Sequence, residues 1–115
     1  MEPELHQYKA EFFKTLGHPL RLAILDQLRK GSQTVTELQN QLHVDQSSLS
    51  QQLSKLRQQN FIHARKDGTT VHYQVEDRDI YTFLDLARSI YQRQIHRSSQ
   101  ILQHLQQSMA SREEP

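Results

Sequence analysis

Apolar residues recur at intervals of three and four positions through the first part of the chain, a spacing that is typical of helices. The pattern predicts a first helix over residues 3–16, with its apolar side chains in one stripe. A second helix begins at Pro19 and is apolar nearly all round, so we expect it at the centre of the core. Gly31 ends this second helix, because glycine adopts the backbone conformations at which helices stop.

Two shorter helices follow, separated by a four-residue break. Thr34 and, three residues later, Glu37 form a capping box, which marks the start of the first. Asp45 is a favourable N-cap for the second, which runs to about Gln59, and Asn60 can close it in the left-handed conformation. Three leucines give this second helix a narrow apolar stripe, and Ser, Gln and basic residues fill the rest of its circumference. The sequence therefore predicts a helix-turn-helix over residues 34–59.

Two strands and a long helix complete the pattern. Residues 61–75 contain two short strands, and Asp67-Gly68 between them is a strong signal for a tight hairpin turn. The last apolar stripe predicts one or two helices over residues 78–109. This stripe carries more apolar side chains than a small helical core can cover, so we expect a second copy of the chain to cover it.

Composition narrows the classes of function. The 115 residues contain no cysteine, which excludes disulfides, thiolate metal sites and a cysteine nucleophile within them. Three glycines cannot form a glycine-rich nucleotide loop, and the acids and histidines show no catalytic spacing, so we expect no enzyme. No apolar run is long enough to span a membrane and no signal-peptide pattern is present, so we expect a cytoplasmic protein without membrane contacts.

Charge is distributed unevenly along the chain. The formal net charge is +1, but residues 5–75 carry nine Lys and Arg against five Asp and Glu. This excess favours a polyanionic partner such as DNA. Ser and Gln side chains bond phosphates and base edges, and the amides at the N-terminus of a capped helix favour phosphate oxygens. The polar helix that follows Asp45 and the basic hairpin after it are therefore a candidate DNA-binding surface.

The order of these elements resembles the ArsR/SmtB-type winged helix-turn-helix repressors. FFKTLGHPLRLAILDQLRKG (residues 12–31) is similar to the opening of that family, DQSSLSQQLSKLRQQNFI (residues 45–62) to its recognition helix, and RKDGTTVHYQV (residues 65–75) to its wing. The resemblance implies a homodimer that binds an inverted-repeat operator in double-stranded DNA and represses transcription. The DNA-binding residues that we predict are Gln46, Ser47, Ser48, Ser50, Gln51, Ser54, Lys55, Arg65, Lys66, Gly68, Thr69 and Thr70.

The expected fold is mainly α (α+β): a winged helix-turn-helix with a two-stranded β wing and a long terminal dimerisation helix. We expect residues 1–115 to form a single domain, with the wing at residues 61–75. The resemblance assigns dimerisation to residues 5–16 and 78–109. The residues predicted at the dimer interface are Leu5, Tyr8, Phe12, Phe83, Leu84, Ala87, Ile90 and Tyr91.

The sensing sites of the family are not matched. Residues 37–42, in the helix before the recognition helix, contain no thiolate, and Ala87 stands where many members have the histidine of an Asp-x-His pair. We therefore expect no cofactor, and the effector is left open. One alternative is a Ni-, Co- or Zn-responsive repressor with an unusual site made of His96, His104 and His6 of a second copy. The other is a winged-helix module that binds proteins and no DNA, because a polar helix face is also typical of ordinary solvent-exposed surface.

Overall fold

The structure of the chain, a computed structural model, describes residues 3–113 and divides into two compact units, the second of which begins at Asp79. The second unit is one helix, and the first holds the remaining helices and strands. The elements, in chain order, are α1 (Pro3–Leu16), α2 (Pro19–Leu28), β1 (Gln33–Thr34), α3 (Val35–Leu42), α4 (Gln46–Gln58), β2 (Ile62–Asp67), β3 (Thr70–Val75) and α5 (Asp79–Glu113).

Helix α2 lies at the centre of the first unit, as its apolar circumference predicts. Ile24, Leu25 and Leu28 are fully buried. His18 caps the start of the helix, since its Nδ1 accepts a hydrogen bond from the backbone N–H of Leu20 at 3.2 Å. The helix ends at Leu28, and a tighter turn leads from there to the glycine at position 31, whose φ is +138°.

The two helices of the predicted helix-turn-helix begin where their capping residues stand. Thr34 Oγ1 accepts from the N–H of Glu37 at 3.2 Å, and the Thr34 N–H donates to Glu37 Oε1 at 3.1 Å, so both halves of the capping box are present. In α4 the three leucines, Leu49, Leu53 and Leu56, are fully buried. Burial of each stabilises the fold by about 2 kcal/mol and fixes which side of α4 faces outward.

The strands form one antiparallel sheet in the order β1-β3-β2. The predicted two-stranded hairpin is β2 and β3, and the sheet has a third strand that was not predicted: β1, in which Gln33 pairs with Tyr73 of β3. A strand of two residues is too short to show an alternating pattern, which explains why the sequence did not indicate it. In the hairpin, Asp67 pairs with Thr70 across a tight turn, where Gly68 has a φ of +63°.

Helix α4 ends at a residue in the left-handed conformation, as predicted. Asn60 has a φ of +63°, and the N–H of Phe61 donates to the carbonyl of Leu56 at 2.9 Å. The reversal brings Phe61 into the core, where its ring centroid lies 5.0 Å from that of Phe12.

Helix α5 is one continuous helix of 35 residues, about 52 Å long. It begins one residue after the predicted start at position 78 and continues four residues beyond the predicted end at position 109. Its exposed large apolar residues are Phe83, Leu86, Ile90, Tyr91, Ile95, Ile101, Leu102, Leu105 and Met109. None of the helices in residues 3–113 combines the length and the apolar character needed to cross a membrane.

Candidate nucleic-acid interface

The N-terminus of α4 is capped by Asp45, as the sequence predicts. Its Oδ2 accepts a hydrogen bond from the backbone N–H of Ser48 at 2.9 Å. This hydrogen bond from the backbone holds the pKa of the Asp45 carboxyl below its usual value, so the group is ionised at neutral pH. The N–H groups of Gln46 and Ser47 belong to the first turn, where a helix has no partner of its own for them, and they are suited to an anion.

Two strips of polar side chains run along α4. We call Ser47, Gln51 and Ser54 the recognition face; all three are exposed and lie opposite the buried leucines. We call Ser48, Gln52 and Lys55 the flank; all three are half-buried, at the border between the recognition face and the core. The two other residues predicted on this helix, Gln46 and Ser50, are exposed.

The flank contains a contact that sequence reasoning did not find. Arg21, on α2, donates from Nε to Gln52 Oε1 at 2.7 Å and from Nη1 to the carbonyl of Thr15 at 3.3 Å. Gln52 is separated from Arg21 by 31 positions. No local pattern indicates a pairing over such a distance, because Arg and Gln side chains are both common on exposed helix surfaces.

The predicted DNA-binding residues of the hairpin lie at its exposed end. Arg65 and Lys66 pair with His72 and Val71 on β3 and are both exposed. Because neighbouring side chains of a strand point to opposite faces, these two cations lie on opposite faces of the hairpin. The other predicted residues of the wing are exposed as well and lie at or beside the turn: Gly68, Thr69 and Thr70.

The residues predicted at the dimer interface are largely accessible in the single chain. On α1, Leu5 is 49% exposed and Tyr8 is 70% exposed, whereas Phe12 is half-buried against the ring at position 61. On α5, Ile90 and Tyr91 are 44% and 50% exposed. The remaining predicted residues of α5 are exposed or half-buried: Phe83, Leu84 and Ala87.

The histidines do not form a metal site within one chain. Across the described residues, no three His, Asp or Glu side chains come together in a group that could hold a metal ion. On α5, His96 and His104 are separated by about 12 Å of helix axis. The cations Arg93 and Arg97 are neighbours of the first of these histidines, which is unfavourable for a divalent ion. The alternative site, which needs His6 of a second copy, stays a prediction.

Comparisons with known proteins identify the family. The family model described as "bacterial regulatory protein, arsR family" matches residues 18–64, from the cap of α2 into β2. The HTH-type transcriptional regulator Rv0081 of Mycobacterium tuberculosis is 39% identical over 107 residues, which cover 91% of this chain and 94% of Rv0081. The chain belongs to the ArsR family. It is therefore a DNA-binding regulator of transcription, and the resemblance drawn from its motifs is confirmed.

Solved structures of ArsR-family relatives have the same fold. The crystal structure of Rv0081 superimposes with a TM-score of 0.76 at 40% identity, over 84% of this chain and 96% of that one. NolR from Sinorhizobium fredii gives a TM-score of 0.70 at 37% identity, over 79% of this chain and 94% of NolR. The homodimeric winged helix-turn-helix DNA-binding domain Mb0332 of Mycobacterium bovis gives 0.70 at 25% identity, over 77% and 82%. The predicted winged helix-turn-helix fold is confirmed.

Proposed function

We propose that this ArsR-family regulator is a homodimeric repressor that binds an inverted-repeat operator through α4 and the β2–β3 hairpin. The observation that carries the proposal is the exposed recognition face of α4 beside an exposed basic hairpin. The buried leucines hold α4 rigidly, so its Ser and Gln side chains are presented outward in a fixed arrangement. Side chains on a rigid element lose little conformational freedom when they bind, which favours sequence-specific contacts.

The recognition face carries the contacts that read sequence. Gln51 can form a bidentate pair with adenine in the major groove, and the hydroxyls of Ser47 and Ser54 donate to or accept from base edges. The first-turn amides of α4 and the cations Lys55 and Arg65 contact phosphates, which provides affinity without reading the sequence.

Dimerisation follows from the chemistry of α1 and α5. An exposed apolar surface as extensive as that of α5 is typical of a helix that a partner covers. Relatedness to the homodimeric domain Mb0332 supports a second copy as that partner. Two copies related by a two-fold axis present two α4 helices to half-sites one DNA turn, about 10 base pairs, apart.

Repression and release follow from occupancy of the operator. A dimer bound at a promoter excludes the transcription machinery from the same DNA, and it acts where that DNA lies, in the cytoplasm. An effector releases the operator by favouring a dimer geometry in which the two α4 helices no longer match successive major grooves. Direct thiol chemistry is not available to that effector, because these 115 residues contain no cysteine.

The experiment that tests the proposal lets the protein select its operator from random sequences. Wild-type protein is used to enrich duplexes from a random pool, and fluorescence anisotropy compares the enriched DNA with random duplex over a range of salt. We expect an inverted repeat with half-site centres about 10 base pairs apart, bound at least 10³-fold more tightly than random DNA, with affinity that falls steeply with salt. Failure to enrich any sequence, or binding that does not respond to salt, would contradict it.

A further inference from the structure

Arg21 joins three helices of the first unit through a single guanidinium group. Its Nε donates to Gln52 Oε1 on α4 at 2.7 Å, and its Nη1 donates to the carbonyl of Thr15 near the end of α1 at 3.3 Å. Both Arg21 and Gln52 are half-buried, so these hydrogen bonds are partly shielded from water. A charged donor makes them stronger than bonds between neutral groups.

The contact decides which way the Gln52 amide faces. A guanidinium group can only donate hydrogen bonds, so the carbonyl oxygen of Gln52 must face Arg21. The amide nitrogen, Nε2, then points away from Arg21 and has no partner within the described chain. No buried side-chain nitrogen or oxygen of the described residues lacks a hydrogen bond, so this nitrogen is accessible to solvent. The group that Gln52 exposes to solvent is therefore the amide nitrogen Nε2, which can only donate hydrogen bonds.

Gln52 is the middle member of a row of donors on the flank of α4. The hydroxyl of Ser48 lies one turn before it and the ammonium group of Lys55 lies one turn after it. All three are half-buried beside the core, about 100° around the helix from the recognition face at Gln51. A helix in a major groove directs its central face to the bases and its flanks to the phosphates that border the groove, and phosphate oxygens accept hydrogen bonds.

We propose that Arg21 is a positioning residue of the DNA interface, which orients Gln52 as a hydrogen-bond donor to a DNA phosphate. The proposal rests on the proposed function, since it assumes that α4 lies against DNA. By binding the end of α1 at the same time, Arg21 also connects α1 and α4 through α2. In this arrangement Arg21 acts on DNA through Gln52, and its Nε and Nη1 stay bound to the chain.

Two substitutions at Arg21 separate positioning from charge. Arg21→Lys keeps the positive charge, but one ammonium group cannot reproduce the planar two-nitrogen contact, whereas Arg21→Met removes charge and contact together. We expect both variants to weaken binding to the enriched duplex by about tenfold, equivalent to about 1.4 kcal/mol, with the slope of log affinity against log salt unchanged. Full affinity in Arg21→Lys, with a shallower slope in Arg21→Met, would show that Arg21 acts as a charge on DNA and overturn the proposal.

Substitutions at Gln52 test the other half of the pair. Gln52→Met removes the acceptor for Arg21 and the donor for DNA, so we expect a loss of about tenfold, similar on enriched and random duplexes. The double variant Arg21→Lys/Gln52→Met should lose no more than either single variant. The variant Gln52→His should keep most of the affinity of the wild type, because an imidazole accepts with one nitrogen and donates with the other. Additive losses, or a loss confined to one base pair of the enriched duplex, would overturn the assignment.

Measurements on the free protein separate a failure of this proposal from a failure of the proposed function. In ¹⁵N-labelled protein, Arg21→Lys should shift the side-chain amide signals of Gln52, whereas the control Arg57→Lys, at an exposed position on α4, should not. Thermal unfolding identifies any variant whose loss of binding reflects a loss of folding. If these signals shift but no DNA is enriched, the proposed function fails; if DNA is enriched and the signals do not shift, the Arg21–Gln52 contact fails.

Discussion

At the scale of single residues, uncharged polar side chains are suited to choosing a DNA sequence, whereas cations are suited to binding DNA of any sequence. A lysine on DNA adds affinity for every sequence, whereas glutamine gains affinity only where base acceptors and donors match its amide. The recognition face of α4 contains no cation, and Lys55 lies on the flank. Sequence choice and affinity are therefore expected to respond to different substitutions.

Gln51 is the residue at which sequence choice is tested most directly. Gln51→Ala should weaken binding to the enriched duplex by about 10- to 100-fold and binding to random duplex by much less, because it removes a base contact and no charge. Gln58→Ala is the matched control, since Gln58 is an exposed glutamine on the same side of α4, at its C-terminal end. Equal losses on both duplexes would deny Gln51 a role in base readout.

Asp45 links the stability of α4 to pH. Its pKa is lowered in the folded protein, so the stability that it contributes is present above its usual value of 3.8 and is lost as the pH falls through the lower, folded value. Asp45→Asn keeps an oxygen that can accept from Ser48 but does not ionise. We expect urea unfolding at pH 7 to show wild type as the more stable protein, and the difference to close as the pH falls from 3.8 through the lower pKa of the folded protein. A difference that does not change with pH would contradict this assignment.

Local residue patterns predicted local features well and distant contacts poorly. The capping box at Thr34, the cap at Asp45 and the left-handed Asn60 are confirmed, because each depends on neighbours within a few positions. The Arg21–Gln52 contact depends on how α2 packs on α4, and it was not predicted. The residues proposed to read the DNA sequence could thus be chosen from the local pattern, and their role stays a prediction, whereas the contact that orients Gln52 requires the packed structure.

At the scale of elements, the hairpin presents its cations on two opposite faces. Arg65 and Lys66 are adjacent on β2, so an edge-on approach to DNA brings one to each side of a groove. Arg65→Ala/Lys66→Ala should reduce the slope of log affinity against log salt by about 1.8, which corresponds to two phosphate contacts. The control Lys9→Ala/Lys14→Ala removes the same charge from exposed positions on α1. An unchanged slope in the hairpin variant would remove the hairpin from the interface.

The helices were predicted more accurately than the sheet, for a physical reason. Periodic apolar positions define α1 over residues 3–16, as observed, and the start of α5 to within one residue. The end of α5 was set four residues short, because the helix continues into polar residues with no apolar repeat. The strand β1 was not predicted, because two residues are too few to show an alternating pattern and the strand is defined only by its pairing with β3.

At the scale of the whole molecule, dimerisation is the step that is expected to bring two α4 helices to the two half-sites of one operator. Ile90 is 44% exposed in the single chain, so a charged residue there is compatible with the fold of one copy. We expect wild type to sediment as a dimer at micromolar concentration and Ile90→Glu to weaken association at least tenfold, because it would bury an unpaired charge. Gln92→Glu adds the same charge at an exposed polar position of α5 and serves as the control. A monomeric wild-type protein would contradict the role given to α1 and α5.

Chemical footprinting on the enriched duplex tests the central claim most directly. Dimethyl sulfate methylates guanine N7 in the major groove and adenine N3 in the minor groove, so protection reports which groove the protein fills. We expect two clusters of protected guanine N7 atoms, with centres about 10 base pairs apart and related by the two-fold axis of the operator. Because Gln51→Ala weakens binding, more of that variant should be needed to reach the same protection in both clusters. A single cluster, protection confined to adenine N3, or guanines that stay fully reactive under saturating protein would contradict the assignment of paired α4 helices to successive major grooves.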